Sequence, residues 1–228
     1  MRSGNQAVDP AVYELENRAL DRRGLVLAAM RRLAPWRGGR LLDLGCGSGF
    51  WLPGYADEAA SVVGVEPDPT LLPLAEARDP RVTVHQGSAE HLPLPDGSVD
   101  VVHARFAYFF GVGAEAGLTE VMRVLAPGGR LVVVDNDLEN GEFAALLASA
   151  GSSYDAETWW AERGAERVEV MSDWTFDSRA DLEAVLRLEF PGEVSASWLA
   201  ANPSCTSLSY GYILYSVGDR QHSAQGAR

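Results

Sequence analysis

The feature that most constrains this 228-residue chain is an alternation that begins at residue 40. Short runs that are apolar at every position, such as LVVV at 131–134, alternate with amphipathic segments. A run with no polar face fits a strand covered on both sides, and strands separated by helices pair in parallel through crossovers. RLLDLG, SVVGVE, RVTVHQG, DVVHA and RLVVVD read as five such strands. The expected fold is therefore α/β, a Rossmann-like doubly wound sheet. The end of the chain differs. RVEVMSDWTF and SLSYGYILYSV are longer, alternating strand candidates on either side of the helical SRADLEAVLRLEF. An antiparallel pair at the end of the sheet would suit them.

Punctuation residues place the helices. Asp9-Pro10 starts the first, with Asp as cap and Pro at the first helical position. Gly24 separates it from a second helix over Leu25 to Leu33, which PWRGG ends. A short helix is expected near Phe50 to Tyr55. Asp68-Pro69 should cap another through Ala77, with Pro73 kinking it. Leu118, Val121, Met122 and Leu125 line one face of a helix that should stop at APGG.

The formal net charge is −13, from 19 Lys and Arg against 32 Asp and Glu. A chain so acidic has no general affinity for nucleic acid or anionic membrane, both of which need cationic surface. Arg18, Arg22, Arg23, Arg31, Arg32, Arg37 and Arg40 form a local exception, best read as a solvated face with ion pairs. Cys46 and Cys205 make neither a disulfide framework nor a metal cluster. MRSGNQAVDP lacks the apolar core of a signal peptide, and no apolar run approaches the ~20 residues of a membrane helix. A soluble, cytoplasmic protein is expected, with its oligomeric state open.

The loop after the first strand carries Gly45, Gly47 and Gly49. In a doubly wound sheet, ligands sit at the carboxyl ends of the strands near the switch point. Glycines there let the backbone approach a ligand closely at positive φ. A dinucleotide fingerprint reads G-x-G-x-x-G. Here the spacing is G-x-G-x-G, and Phe50 stands where the third glycine belongs. Glu66 ends the second strand, 21 residues after Gly45. A carboxylate at that point can accept from both hydroxyls of a ribose and would repel a 2′-phosphate.

LLDLGCGSG, VVGVEPDPTLL, VHQGSAEHLPLPDGSVDVVHA and EVMRVLAPGGRLVVVD occur in this order and at the spacing of a known family. The chain resembles the class I S-adenosylmethionine-dependent methyltransferases over about residues 38 to 137. It looks most like the small-molecule branch that includes the ubiquinone and menaquinone biosynthesis enzymes. The resemblance implies a seven-stranded sheet in order 3-2-1-4-5-7-6 with strand 7 antiparallel. It implies that Asp43, Gly45, Cys46, Gly47 and Gly49 lie along the methionine half of S-adenosylmethionine. Glu66 matches the ribose-binding acid, and Pro67 and Asp68 adjoin the adenine. Where the family has G-D-A-E, this chain has Gly87-Ser88-Ala89-Glu90, so Ser88 offers an uncharged acceptor and Ala89 a backbone N–H. Ala104, at the end of the fourth strand, matches the carbonyl that holds the amino group. Tyr108-Phe109-Phe110 replaces the His pair common in relatives, which implies a more apolar substrate. The implied organisation is a helical lid segment at 1–37, a methyltransferase domain at 38–217 and a polar tail without fixed structure at 218–228.

Methyl transfer requires placement of a nucleophile in line with the sulfonium, and a base only when the nucleophile arrives protonated. His103, late in the fourth strand, is the nearest candidate base. Its parity with Val101 gives a buried structural histidine as the competing reading. Tyr13, Arg105, Phe106, Phe109, Asp137 and Trp159 are the candidates for the substrate pocket. Aromatic faces there suit an apolar substrate or a cationic sulfonium. No metal-ligand spacing and no G-x-S-x-G elbow occur. The leading expectation is methyl transfer to O, N or C of a small molecule. An NAD-dependent oxidoreductase and a non-catalytic S-adenosylmethionine-binding module are the alternatives. An RNA or protein methyltransferase conflicts with the acidic charge.

Overall fold

The structure is a computed structural model that describes residues 9–152 and 154–218. Its centre is a seven-stranded sheet: β1 Arg40–Leu44, β2 Ser61–Glu66, β3 Val82–Gln86, β4 Val99–Arg105, β5 Leu125–Asn136, β6 Glu166–Thr175 and β7 Ser207–Gly218. Their order is β3-β2-β1-β4-β5-β7-β6, with β7 antiparallel, as the resemblance implied. β1 pairs in parallel with β2 on one side and β4 on the other. The winding direction reverses between those two neighbours, so the carboxyl end of β1 faces the switch-point crevice of a doubly wound sheet.

The helices are α1 Pro10–Ala19, α2 Leu25–Leu33, α3 Leu52–Ala56, α4 Leu72–Glu76, α5 Glu115–Val124, α6 Glu142–Ser149, α7 Glu157–Glu162, α8 Arg179–Glu189 and α9 Gly192–Ala201. Asp9 caps α1 by accepting from the amides of Ala11 and Val12, both at 3.1 Å. Ser178 caps α8, accepting from Asp181 N–H at 3.1 Å.

Three expectations change. Asp68 does not cap a helix. It folds an Asx turn, accepting from the amide and hydroxyl of Thr70, and α4 begins only at Leu72. Pro73 then sits in the first turn, where a missing amide hydrogen costs nothing, and produces no kink. The chain also passes from α5 into β5 at Leu125 without a break, so APGG lies inside the strand. The irregularity appears as a register shift between the pairs Val99–Leu125 and Val101–Arg130. Finally, α6, α7 and α9 occupy stretches for which no helix was expected.

Contacts divide the chain into two compact units. One holds the chain through Ala29 with Asn136–Tyr154 and Val168–Ile213; the other holds Met30–Asp135, Asp155–Arg167 and the chain from Leu214. The first boundary falls inside α2. In the first unit, Phe143 stacks on Tyr210 at 3.8 Å and meets Trp174 edge-on at 5.0 Å. Buried Asp21, at φ +50°, accepts from the amides of Leu25, Val26 and Leu27 and from the Ser172 hydroxyl, anchoring the start of α2. In the second unit, Trp36, Tyr55 and His103 form one aromatic cluster and Phe109, Trp160 and Tyr215 another.

The arginine-rich stretch is largely neutralised locally. Arg22 pairs with Asp177, Arg31 and Arg37 with Glu58, and Arg40 with Asp100. No described helix is long and apolar enough to cross a membrane. Residues 1–8 of the expected lid segment and 219–228 of the expected tail lie outside the described residues.

Candidate active site

β1 ends at Leu44, and the chain turns through Gly45, Gly47 and Gly49 at φ +74°, +57° and +77°. L side chains rarely adopt this left-handed region, which is why glycine recurs at alternate positions. The amides of Gly45 and Cys46 both donate to the Val65 carbonyl, tying the loop to β2. Space matters as much as angle. A Cβ on Gly45 would stand 2.6 Å from the Ala107 methyl, and one on Gly49 would stand 2.7 Å from the Ala75 Cα. Cys46 is buried with its sulfur against Gly64, and burial pushes its thiol well up. The thiol serves as a small filler rather than a nucleophile.

Glu66 is the keystone of the loop. One carboxylate oxygen accepts from Gly47 N–H at 2.9 Å and the other from Asp68 N–H at 2.9 Å. Burial raises its pKa, and the two amides act against that rise. Each oxygen retains a further lone pair, so the carboxylate can accept two more hydrogen bonds. Pro67 is exposed beside it. After β3, Ser88 and His91 form an isolated bridge around buried Ala89. Burial works to raise the Glu90 carboxyl, yet bonds from its own backbone, Ser88 and Tyr108 hold it below the usual carboxylate range.

Asp43 is almost fully enclosed, and burial pushes its carboxyl up to about 7, with Arg105 pulling it down and Glu66 raising it further. Across the sheet Asp43 is in register with His103, and Leu44 with Ala104. Paired residues of parallel strands share a face, so Asp43, His103 and Arg105 lie on one side of the sheet. Ala104, fully buried, points to the other. Arg105 ends β4, and Phe106 turns the chain at φ +51° while its amide donates to the Val134 carbonyl.

The structure thus gathers Asp43, Gly45, Cys46, Gly47, Glu66, Ala104 and Arg105 around the carboxyl ends of β1, β2 and β4, all in one unit. Other candidates are committed elsewhere. His103 has no exposed surface. Its ring sits 5.0 Å from both Trp36 and Tyr55, and neither nitrogen finds a hydrogen-bond partner. Burial, with Arg105 adding to it, drives its pKa down to about 3. A ring so enclosed has the surroundings of a buried structural histidine. Phe109 is core, packed on Tyr108 and Trp160. Trp159 donates its indole N–H to Glu115 at 2.7 Å and lies under the Arg163 guanidinium. Asp137 caps its own loop, accepting from the amides of Glu139 and Asn140 and from the Asn140 side chain. Tyr13 and Phe106 remain half-buried. Sequence reasoning passed over Trp51, Tyr55 and Met30, which frame Arg105; nothing in their spacing marks them.

Among the described residues, no group of three or more His, Cys, Asp or Glu side chains is arranged to hold a metal. Residues 42–133 match the methyltransferase domain family. This core is similar in sequence to methyltransferase domains. It is 40% identical over 105 residues to a probable S-adenosylmethionine-dependent methyltransferase of Mycolicibacterium smegmatis, an overlap of 45% of this chain and 40% of the other. The core is 40% identical over 104 residues to an uncharacterized methyltransferase of Mycobacterium tuberculosis, an overlap of 46% of this chain and 42% of the other. It is 38% identical over 136 residues to a demethylmenaquinone methyltransferase of Thermus thermophilus, covering 54% and 60%. The chain spans less than two thirds of the length of these curated relatives. In fold, it matches the crystal structure of a methyltransferase from an antibiotic biosynthesis pathway of Anabaena variabilis with TM-score 0.66. That match has 18% identity and covers 89% of this chain and all of the other.

Proposed function

We propose that the chain transfers the methyl group of S-adenosylmethionine to a nucleophilic atom of a small molecule. The observation that carries this reading is the Glu66 carboxylate, fixed by Gly47 N–H and Asp68 N–H at the carboxyl end of β2 with acceptor capacity to spare. A ribose diol presents two donors to match it. The left-handed glycine loop beside it leaves backbone, not side chain, facing a ligand.

The donor, when bound, supplies an electrophilic methyl group on a sulfonium. The chain's own residues bind and orient. Glu66 would hold the ribose hydroxyls, the loop from Gly45 to Gly49 would lie along the methionine half, and Ala89 N–H would meet the adenine. Asp43, in its ionised form, would take the ammonium, and the Ala104 carbonyl would assist it. No side chain at these strand ends is needed as a covalent nucleophile, and catalysis rests on placement of the acceptor.

The acceptor belongs to the small-molecule class for two reasons. The chain is strongly acidic, and four arginines of its arginine-rich stretch, Arg22, Arg31, Arg37 and Arg40, are engaged in ion pairs. Relatives of the core include enzymes named for demethylmenaquinone, a small acceptor. Calorimetric titration with S-adenosylmethionine, S-adenosylhomocysteine and NAD tests the reading. Binding of both sulfur compounds is the expected result, and binding of NAD alone would overturn it. A screen of metabolites for the mass gain of one methyl would then name the acceptor.

A further inference from the structure

A serine hydroxyl donates as readily as it accepts, so alone it cannot tell an amino group from a carbonyl. The surroundings of Ser88 remove that ambiguity. The loop after β3 is a tight turn, closed by a 3.1 Å hydrogen bond from His91 N–H to the Ser88 carbonyl, with Ala89 buried inside it. Two hydroxyls donate to the Glu90 carboxylate, the Ser88 side chain and the Tyr108 phenol. Glu90 is exposed and held below the usual carboxylate range, so near neutral pH it is ionised and can only accept. With its one hydrogen committed to Glu90, the Ser88 oxygen keeps lone pairs and has nothing left to donate.

Tyr108 is itself built into place. It takes φ +63°, a left-handed conformation rare for an aromatic residue and kept only where the surrounding structure holds it. Its phenol oxygen accepts from Gly117 N–H at 3.2 Å, which leaves the O–H for Glu90. Gly117 is the third residue of α5, where a helix amide has no partner within the helix. It is buried, and a Cβ there would run into the Tyr108 ring. α5 holds the far side of the loop as well. Glu120 accepts from Leu92 N–H at 3.0 Å, and Arg123 donates to the Leu92 carbonyl at 3.0 Å. All these residues belong to one compact unit.

We infer that Glu90, held by Tyr108, fixes the Ser88 hydroxyl as a hydrogen-bond acceptor, so that this loop selects a purine with a 6-amino group over one with a 6-oxo group. This role rests on the methyltransferase reading, which brings an adenine to Ala89, and adds to it two positioning residues. Glu90 and Tyr108 act through the hydrogen on Ser88 and not on the base itself. The charge that does the selecting stays one residue away from the ligand and keeps its hydration.

The full chain is titrated calorimetrically with S-adenosylhomocysteine and with S-inosylhomocysteine, its 6-oxo counterpart. The unaltered protein should prefer the amino ligand by about tenfold or more. Glu90→Ala, a change at an exposed side chain, frees the Ser88 hydroxyl to donate. The preference should then shrink by about three- to tenfold, the amino ligand weakening while the 6-oxo ligand holds or tightens. Tyr108→Phe keeps the ring and loses the hydroxyl, and should shrink the preference by about threefold. In a Ser88→Ala background neither substitution should move the ratio beyond about twofold. An equal loss on both ligands in Glu90→Ala, or no change on either, would overturn the inference. So would a shift of the ratio that persists in Ser88→Ala, since Glu90 would then reach the base by another route. Tyr108→Phe with its preference intact would strike Tyr108 from the relay. Equal affinity of the unaltered protein for the two ligands sinks the whole inference without any variant. Binding of neither ligand would instead remove the methyltransferase reading beneath it.

Discussion

Glu66 and Gly47 are joined by a 2.9 Å hydrogen bond from a loop amide to a buried carboxylate, across 19 residues of sequence. The bond makes the acid at the end of β2 part of the loop after β1. Loop conformation thus depends on the side chain that we propose reads the ribose. Glu66→Ala should weaken binding of S-adenosylhomocysteine by more than about tenfold and lower stability by about 1–3 kcal/mol for each amide left without an acceptor. Glu66→Gln, which keeps one acceptor oxygen, should fall between. Affinity unchanged in calorimetry for the Ala variant would remove the ribose assignment.

Asp43 should impose a pH dependence of defined sign. Its folded carboxyl titrates at about 7, above the ordinary value for aspartate of about 3.9. Between those pH values the native state holds a proton that the unfolded state releases. Stability from this group therefore falls as pH rises through about 4 to 7, by on the order of a few kcal/mol, and levels off above. Asp43→Asn should match the parent near pH 4 and melt at a higher temperature near pH 8. Donor binding should behave oppositely. Affinity of the parent for S-adenosylhomocysteine should rise as Asp43 ionises through pH 7, and the Asn variant should show no such rise. A parent affinity flat from pH 6 to 8 would count against an ammonium contact.

His103 should be dispensable for chemistry. His103→Phe replaces a buried ring with two unpartnered nitrogens by an apolar ring of similar shape. Because the folded pKa lies at about 3, the native state binds fewer protons than the unfolded state from there to about pH 6.5. Stability from His103 is thus complete above about pH 6.5 and lost on acidification through that window. Thermal melts of the Phe variant should show a flatter acid limb. Loss of methyl transfer by more than about tenfold, with donor binding intact, would restore His103 as a base.

Two glycines should tolerate no side chain, and a third should accept one. Gly45→Ala and Gly49→Ala each combine a left-handed φ, costing about 1–2 kcal/mol, with a contact far inside van der Waals distance. Both should lower the melting temperature and abolish donor binding. Gly54 lies in α3 with nothing within 4 Å of its would-be Cβ. Gly54→Ala should raise stability by about 0.5–1 kcal/mol and leave binding alone. A Gly45→Ala protein that binds and melts like the parent would refute the account of the loop.

Much of the strand core and of its glycine loop was legible in the sequence because the determinants are local. A wholly apolar run such as LVVV can only be a covered strand. Alternate glycines at 45, 47 and 49 demand positive φ, and an acid 21 residues on falls at the next strand end. Those rules concern backbone conformation and strand periodicity, which short segments carry by themselves. The substrate-side candidates fared differently. Phe109, Trp159 and Asp137 have residue types suited to a pocket, yet packing, an indole-to-carboxylate bond and a capped loop absorb them.

What the sequence determined alone is the parallel core, the glycine loop and its acid. What only the tertiary structure decided is where each charged or aromatic side chain spends its interactions. His103 and Arg105 are two residues apart and share a face of β4. One is sealed between Trp36 and Tyr55, while the other is set against Trp51 and Met30. Strand periodicity assigns both the same face, and only the packing of Trp36, Tyr55 and Trp51 separates a core histidine from a cation stacked on an indole. That separation is a matter of burial and partners, which depend on residues distant in sequence and leave no mark in spacing.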